Sequence, residues 1–297
     1  PEGVPEGLPF GTFLGAQTAC YLPDLGFDYL WLGNGLGFSS NPWDLTGKVF
    51  DGASFHAERL SETKAQVFRF WTLFREACPD IPIEVRGTNN TAGIDYSSDG
   101  VPLYDIYRSG FGITPPPNSP WAAITGNYGL ELAGHLSRNC ELPGEDMMFR
   151  YYIHDPWWVN SPWYDRYGGR PTDIYLPMAL SRISREGKVG GATMLNLLTI
   201  DNSFGGMPDS CVNEPIPHLL KAEKDAPDAP APLIWVYPLR GYTTTEDPAL
   251  LAEMHSGDTF ICAAINDGFP LSGVVSADSF LAHSPDLYRA SVLVSPA

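Results

Sequence analysis

Basic residues are scarce in this sequence, and nowhere do they cluster. In 297 residues, 18 Lys and Arg stand against 35 Asp and Glu, a formal net charge of −17. A phosphate backbone or an anionic bilayer surface would be repelled, so no nucleic-acid partner is expected. No apolar run reaches the roughly 18 residues that span a bilayer, and no charged segment followed by an apolar one opens the chain. Neither a membrane span nor an uncleaved export signal is expected, and the mature form of an exported protein reads the same way. Cysteine is sparse too. Cys20, Cys78, Cys140, Cys211 and Cys262 form no Cys-x-x-Cys pair, which argues against zinc and against a dense disulfide framework. They read as small buried apolar residues, with at least one free thiol. Gly-x-Ser-x-Gly, P-loop, HExxH and EF-hand patterns are all missing, which sets those chemistries aside. Asn89-Asn90-Thr91 is a glycosylation sequon, of consequence only in a eukaryotic secretory pathway.

What the sequence does have is apolar surface throughout. Hydrophobic residues make up 43% and aromatic residues 12%, with 30 glycines and 28 prolines. No weak middle invites a cut, so one loop-rich domain over 1–297 is expected. Six runs read as strands: FDYLWLGNG (27–35), IPIEVRGTNN (81–90), MMFRYYIHD (147–155), ATMLNLLTIDN (192–202), APLIWVYPL (231–239) and RASVLVSP (289–296). Weaker candidates lie at 122–125 and 273–276. Most are continuous rather than alternating in polarity, as strands buried on both faces require, which implies a parallel sheet covered by helices. Helical patterns occupy 61–78, 173–187, 213–227 and 247–257, with a glycine stop at Gly187. Alternating strand and helix allow a (β/α)8 barrel or an open doubly wound sheet. GNGLGF (33–38) runs on into SSNPWDLTG, not into a helix, so it is discounted as a dinucleotide loop. Long aromatic-rich loops after nearly every strand favour a TIM-like barrel elaborated at the C-terminal face of its strands.

In such a barrel the residues just past each strand converge on one cavity. They include Asn34, Arg86 and Asn89 after the first two runs, and Glu131 with His135 from NYGLELAGH. Later runs supply His154, Asp155, Asp201, Asn202, Trp235 and Tyr237. In HDPWWVNSPWYD (154–165), Pro156 and Pro162 hold an extended loop that carries Trp157, Trp158 and Trp163 beside Asp155. Rings beside Asp, Asn and His suit a sugar, whose C–H faces stack on aromatics while its hydroxyls need polar partners. Glycosidic cleavage needs two carboxyl groups, one to protonate the leaving oxygen and one as nucleophile or base. Asp155, Asp201 and Glu131 are the candidates, with Asp155 foremost.

Each feature has a plainer reading. A strand-end Asp can cap the next helix, and paired tryptophans can fill the space under a loop. Arg86 can pair with Glu84 or Glu131, or meet an acidic sugar. His154 beside Asp155 is half of a metal site at most, because no other histidine has supporting spacing.

Taken together, FDYLWLGNGLGF, IPIEVRGTNNTAGID, FRYYIHDPWWVNSPWYDRYG, LLTIDNSFGGMPD and LIWVYPL resemble the barrel domains of large bacterial polysaccharide-degrading enzymes. In related barrel glycosidases a flavodoxin-like domain follows the barrel. The resemblance implies an extracytoplasmic glycoside hydrolase with a carbohydrate substrate and no organic cofactor. YPLRGY (237–242) departs from it, being free of carboxylates where such enzymes can carry an acid. VLVSPA closes a strand, which fits one piece of a longer protein. Two alternatives stay open: a non-catalytic carbohydrate-binding or surface-assembly protein on a degenerate barrel, and a metal-dependent hydrolase.

Overall fold

A computed structural model describes residues 3–33, 35–39, 44–85, 88, 90–114, 118, 122, 125–141, 147–154, 175, 177–199, 213 and 216–295, with backbone alone for 151–154 and 197–199. It is a mixed α/β protein, with nine α-helices and ten strands among the described residues. The strands lie in sheets of three, five and two, and every pairing is parallel except one hairpin. Contacts divide the chain into two compact units, each drawn from three separated segments. No single cut of the linear sequence separates them, which fits its even hydrophobicity.

The first unit comprises Pro1–Thr88, Ile94–Pro116 and Tyr242–His255. Its sheet is β1 (Leu30–Leu32), β2 (Ile83–Val85) and β3 (Ile113–Thr114), neighbours in chain order. Helix α1 (Phe10–Leu25) was not foreseen, because its apolar residues surround it without a periodic face. Glycine lets it lie directly on α2 (Leu60–Ala77): a Cβ at Gly15 would stand 2.5 Å from the Phe74 carbonyl oxygen, and one at Gly11 would meet that of Phe70. At its end Gly26, at φ 74°, takes the left-handed form, and Phe27 N–H bonds back to Leu22 O at 2.9 Å. Within GNGLGF, residues 35–38 form a turn. Gly37, at φ 79°, rests on the Trp71 ring, whose Nε1 donates to Gly37 O at 2.9 Å. Val49, Leu60, Tyr96, Leu251 and Met254 form a core cluster. Tyr96 lies in α3 (Ala92–Asp99); α4 (Leu103–Arg108) follows.

The second unit comprises Asn89–Gly93, Pro117–Gly241 and Ser256–Ala297. Helix α5 (Tyr128–Asn139) precedes β4 (Met148–His154), which pairs with β7 (Met194–Thr199). The larger sheet contains β5 (Ser181–Ile183), β6 (Val189–Gly190), β8 (Leu233–Tyr237), β9 (Gly273–Ser276) and β10 (Val292–Val294), in the order β10-β8-β9-β5-β6. Helices α6 (Ile216–Lys224), α7 (Leu239–Thr244), α8 (Pro248–Asn266) and α9 (Ala277–Ala282) complete the set. Ile183, Ile234, Val236, Val275 and Tyr288 pack together as this unit's core cluster. Burying each such side chain contributes about 1.5–3 kcal/mol.

Three expectations are corrected. The helix read at 173–187 is in its second half the β5–β6 hairpin. Gly187 has φ 80°, and a helix stop and a tight turn both ask for that left-handed backbone, so the glycine misled. The helix read at 247–257 continues to Asn266, because Leu251, Met254, Asp258, Ile261 and Ile265 prolong one buried stripe past Gly257. Ala122 is helical and Thr125 lies in a turn, so neither end of the weak strand read at 122–125 is extended, and 123–124 lie outside the described residues. The strand at 273–276 is present as β9. No described helix is long and apolar enough to cross a membrane. Of the cysteines, Cys78, Cys140 and Cys262 are buried thiols, Cys20 is exposed, and Cys211 lies outside the described residues.

Candidate functional site

Strands β4 and β7 run parallel and side by side, from Met148↔Met194 through Tyr152↔Leu198 to His154↔Thr199. Between the last two pairs the register shifts, leaving Ile153 as an extra residue. Such bulges re-aim a chain where pairing ends. Apolar residues at 148–153 and 194–198 account for the pairing, and a polar cross-strand contact adds to it: Arg150 Nε donates to Asn196 Oδ1 at 3.3 Å. On the opposite edge of β4 the Asn118 amide takes the place of a strand. Its Oδ1 accepts from Arg150 N at 2.6 Å and its Nδ2 donates to Arg150 O at 2.9 Å. Because the strands are parallel, both leave the sheet at the same edge. The chain enters Asp155 directly from His154, and Asp201 stands two residues beyond Thr199. Asp155, Trp157, Trp158, Trp163, Asp201 and Asn202 lie outside the described residues, as do Asn34, Arg86 and Asn89. For His154 the backbone alone is described.

The remaining candidates belong to a buried polar network. Glu131 was expected at a strand end; it sits instead in the first turn of α5, 1% exposed. That helix begins at Asn127, whose Oδ1 accepts from Leu130 N at 3.2 Å and from Asn266 Nδ2 at 2.8 Å. Gly129 is required next, since any Cβ would strike the Cys262 carbonyl. One turn on, His135 is fully buried, edge-on to Phe149 with ring centroids 5.5 Å apart. Burial first, then the Arg138 and Arg182 guanidinium charges, press its pKa down to about 3. The imidazole is therefore neutral at physiological pH. Asn139 Nδ2 stands 3.2 Å from His135 Nδ1; as donor, it puts the ring proton on Nε2.

Tyr237 ends β8 as foreseen, whereas Trp235 lies in the middle of the strand, and both rings are enclosed rather than at a cavity rim, with centroids 4.4 Å apart. The Tyr237 hydroxyl accepts from Gly93 N at 2.6 Å and donates to Asp258 Oδ2 at 2.8 Å. Thr91 Oγ1 donates to the same carboxylate oxygen at 2.5 Å. Ala92 N bonds to Ser137 Oγ at 3.0 Å, and Arg138 Nη1 donates to Asn90 O at 2.5 Å. Ser137 of α5 and Tyr237 of β8 thus accept from the first N–H groups of α3, which have no partner within the helix, and Asp258 of α8 accepts in turn from the Tyr237 and Thr91 hydroxyls. They fix residues 90–93. The buried sequon threonine is a structural hydrogen-bond donor.

Asp258 and Arg138 were not singled out from sequence. A lone Asp in an apolar helix carries no motif, although its place on the buried stripe of α8 was a signal. Burial also pushes the Cys140 and Cys262 thiols up, with the nearby Asp258 charge adding to it. Both remain protonated and inert. No group of three or more His, Cys, Asp or Glu among the described residues is placed to hold a metal ion. Comparison with known proteins finds no matching family model, no matching curated protein and no matching solved structure.

Proposed function

We propose that the protein is a glycoside hydrolase that cleaves a polysaccharide or oligosaccharide by carboxylate acid/base chemistry, with Asp155 and Asp201 as the working pair. The observation that carries this reading is the His154↔Thr199 pairing of adjacent parallel strands, since both aspartates follow within two residues of it. Neighbouring strands lie about 4.8 Å apart, which is the scale on which two carboxyl groups act on one bond. Burial of Glu131 leaves it to brace α5 and favours the two aspartates over it. His154, Trp157, Trp158 and Trp163 then flank the bond, and the sugar faces stack on indole rings. The protein works outside the cytoplasm, without an organic cofactor.

A (β/α)8 scaffold belongs to the same reading. In the first unit β1, β2 and β3 follow chain order, as barrel strands do. The described strands of the larger sheet do not follow chain order, since β8 and β9 lie between β10 and β5. The test is reducing-end release across a glycan panel. Asp155→Asn should lower it by a factor on the order of a thousand. Full activity in that variant would remove Asp155 from the mechanism.

A further inference from the structure

The first unit contains a cavity of about 370 Å³ whose apolar walls are Phe10, Phe38, Val67 and Phe70. That volume is within the range of small-molecule sites, roughly 300–1,000 Å³, and well above the roughly 150 Å³ in which a dry protein cavity holds benzene. We propose that it binds an uncharged aromatic molecule of one or two rings.

The polar groups at its edge ask nothing of a ligand. Ser39 Oγ donates to Asp99 at 2.6 Å, and Lys48 N donates to the same carboxylate at 3.1 Å. Thr63 Oγ1 donates to Arg59 O at 2.9 Å. Gln66 Oε1 accepts from Lys48 Nζ at 3.0 Å, while its Nε2 donates to Glu62 Oε1 at 2.8 Å. Each of these side chains is engaged within the protein. A hydroxyl or an ionised group entering the cavity would leave water for walls already committed, which disfavours sugars and ions. Asp99 also opposes an anion and Lys48 a cation. An aromatic hydrocarbon needs no hydrogen bond and carries no charge.

What remains for the ligand is ring surface, and it is preformed. Phe70 is held between Phe10, at 5.9 Å between centroids, and Trp71, edge-on at 5.0 Å. Phe38, 4% exposed, stands edge-on to Trp71 at 5.6 Å. Gly37 lies against both supports: a Cβ there would stand 2.6 Å from the Trp71 ring and 2.7 Å from that of Phe70. Walls braced in this way keep the space open. Phe10, 54% exposed at the mouth, leaves ring surface in water until a ligand covers it. Rings pair with rings, offset or edge-on, at centroid distances of roughly 4.5–7 Å, which favours an aromatic ligand over an alkyl one.

Such binding does not depend on glycan hydrolysis. The experiment is calorimetry and saturation-transfer NMR on the full chain with toluene and naphthalene, and with benzoate, benzylammonium and cyclohexane as controls. The aromatic hydrocarbons should bind roughly tenfold or more tightly than any control. Val67→Trp, which fills the cavity from α2, should abolish binding. Phe10→Ala should weaken it about tenfold, and Lys48→Ala should leave it unchanged. Phe10→Ala removes an exposed ring and keeps the fold, so it decides the question should Val67→Trp prove unstable. Equal affinity in wild type and Phe10→Ala, tighter binding of cyclohexane or of either ion, or no binding of either hydrocarbon would each overturn the site. None of these results bears on reducing-end release, which is measured separately.

Discussion

Tyr237 and Asp258, 21 positions apart in the sequence, meet through a 2.8 Å hydrogen bond in which the phenol donates to a carboxylate removed from solvent. The same phenol oxygen accepts from Gly93 N, so one atom ties β8 and α8 to the start of α3. Buried networks of this kind stabilise when every member is satisfied and cost heavily when one is removed.

Tyr237→Phe should therefore destabilise the protein by about 2–4 kcal/mol, since it strips a partner from the Gly93 N–H and from Asp258 together. The ring and its contact with Trp235 are preserved, so packing contributes little to the loss. Urea unfolding of the variant against wild type measures it, and a loss below about 0.5 kcal/mol would mean that water replaces the hydroxyl.

His135 sets a pH dependence of known sign. Its folded-state pKa of about 3 lies below the ordinary 6.5, so beneath pH 6.5 the unfolded chain takes up a proton that the folded chain refuses. This contribution is fully present above about pH 7 and is lost at about 1.4 kcal/mol per pH unit as pH falls from 6.5 toward 3. By pH 5 it amounts to about 2 kcal/mol. Chemical denaturation at pH 7 and pH 5 should show a fall smaller by that amount in His135→Gln than in wild type.

Much of the fold is legible along the chain because apolar runs announce buried strands: 148–154, 194–199, 233–237 and 273–276 all fall within segments read as strands. Pairing is not legible in the same way. That β4 lies beside β7, while the intervening β5 and β6 join another sheet, depends on contacts distant in sequence. Local signals also carry two meanings. Gly187 reads as a helix stop and is a hairpin turn, and Glu131 reads as a strand-end acid and is a buried helix residue. Of the site, the strand ends were legible and the bracing was not. Asp258, Thr91 and Arg138 acquire their roles only from partners 21 to 167 residues away, or 48 in the case of Arg138.

Packing of α1 on α2 gives a third test. Gly15→Ala should gain up to about 1 kcal/mol in helix propensity and lose more, because the new methyl would stand 2.5 Å from the Phe74 carbonyl oxygen and 3.0 Å from the Ala77 Cβ. A net loss of about 1–2 kcal/mol is expected in thermal or urea unfolding. A more stable variant would show that the helices separate at little cost.

Under the proposed function, Asp155 and Asp201 act in the same step, one giving a proton and the other attacking or activating water. Removing either should lower turnover by about 10²–10⁴, and the double variant Asp155→Asn with Asp201→Asn should be scarcely worse than the more damaged single one. Groups that act as a unit lose their effect together, whereas groups that only bind substrate lose theirs additively. Reducing-end release at saturating glycan separates the two cases. If the logarithms of the losses add, the aspartates contribute independently, and a partner for Asp155 must be sought elsewhere on the β4–β7 edge.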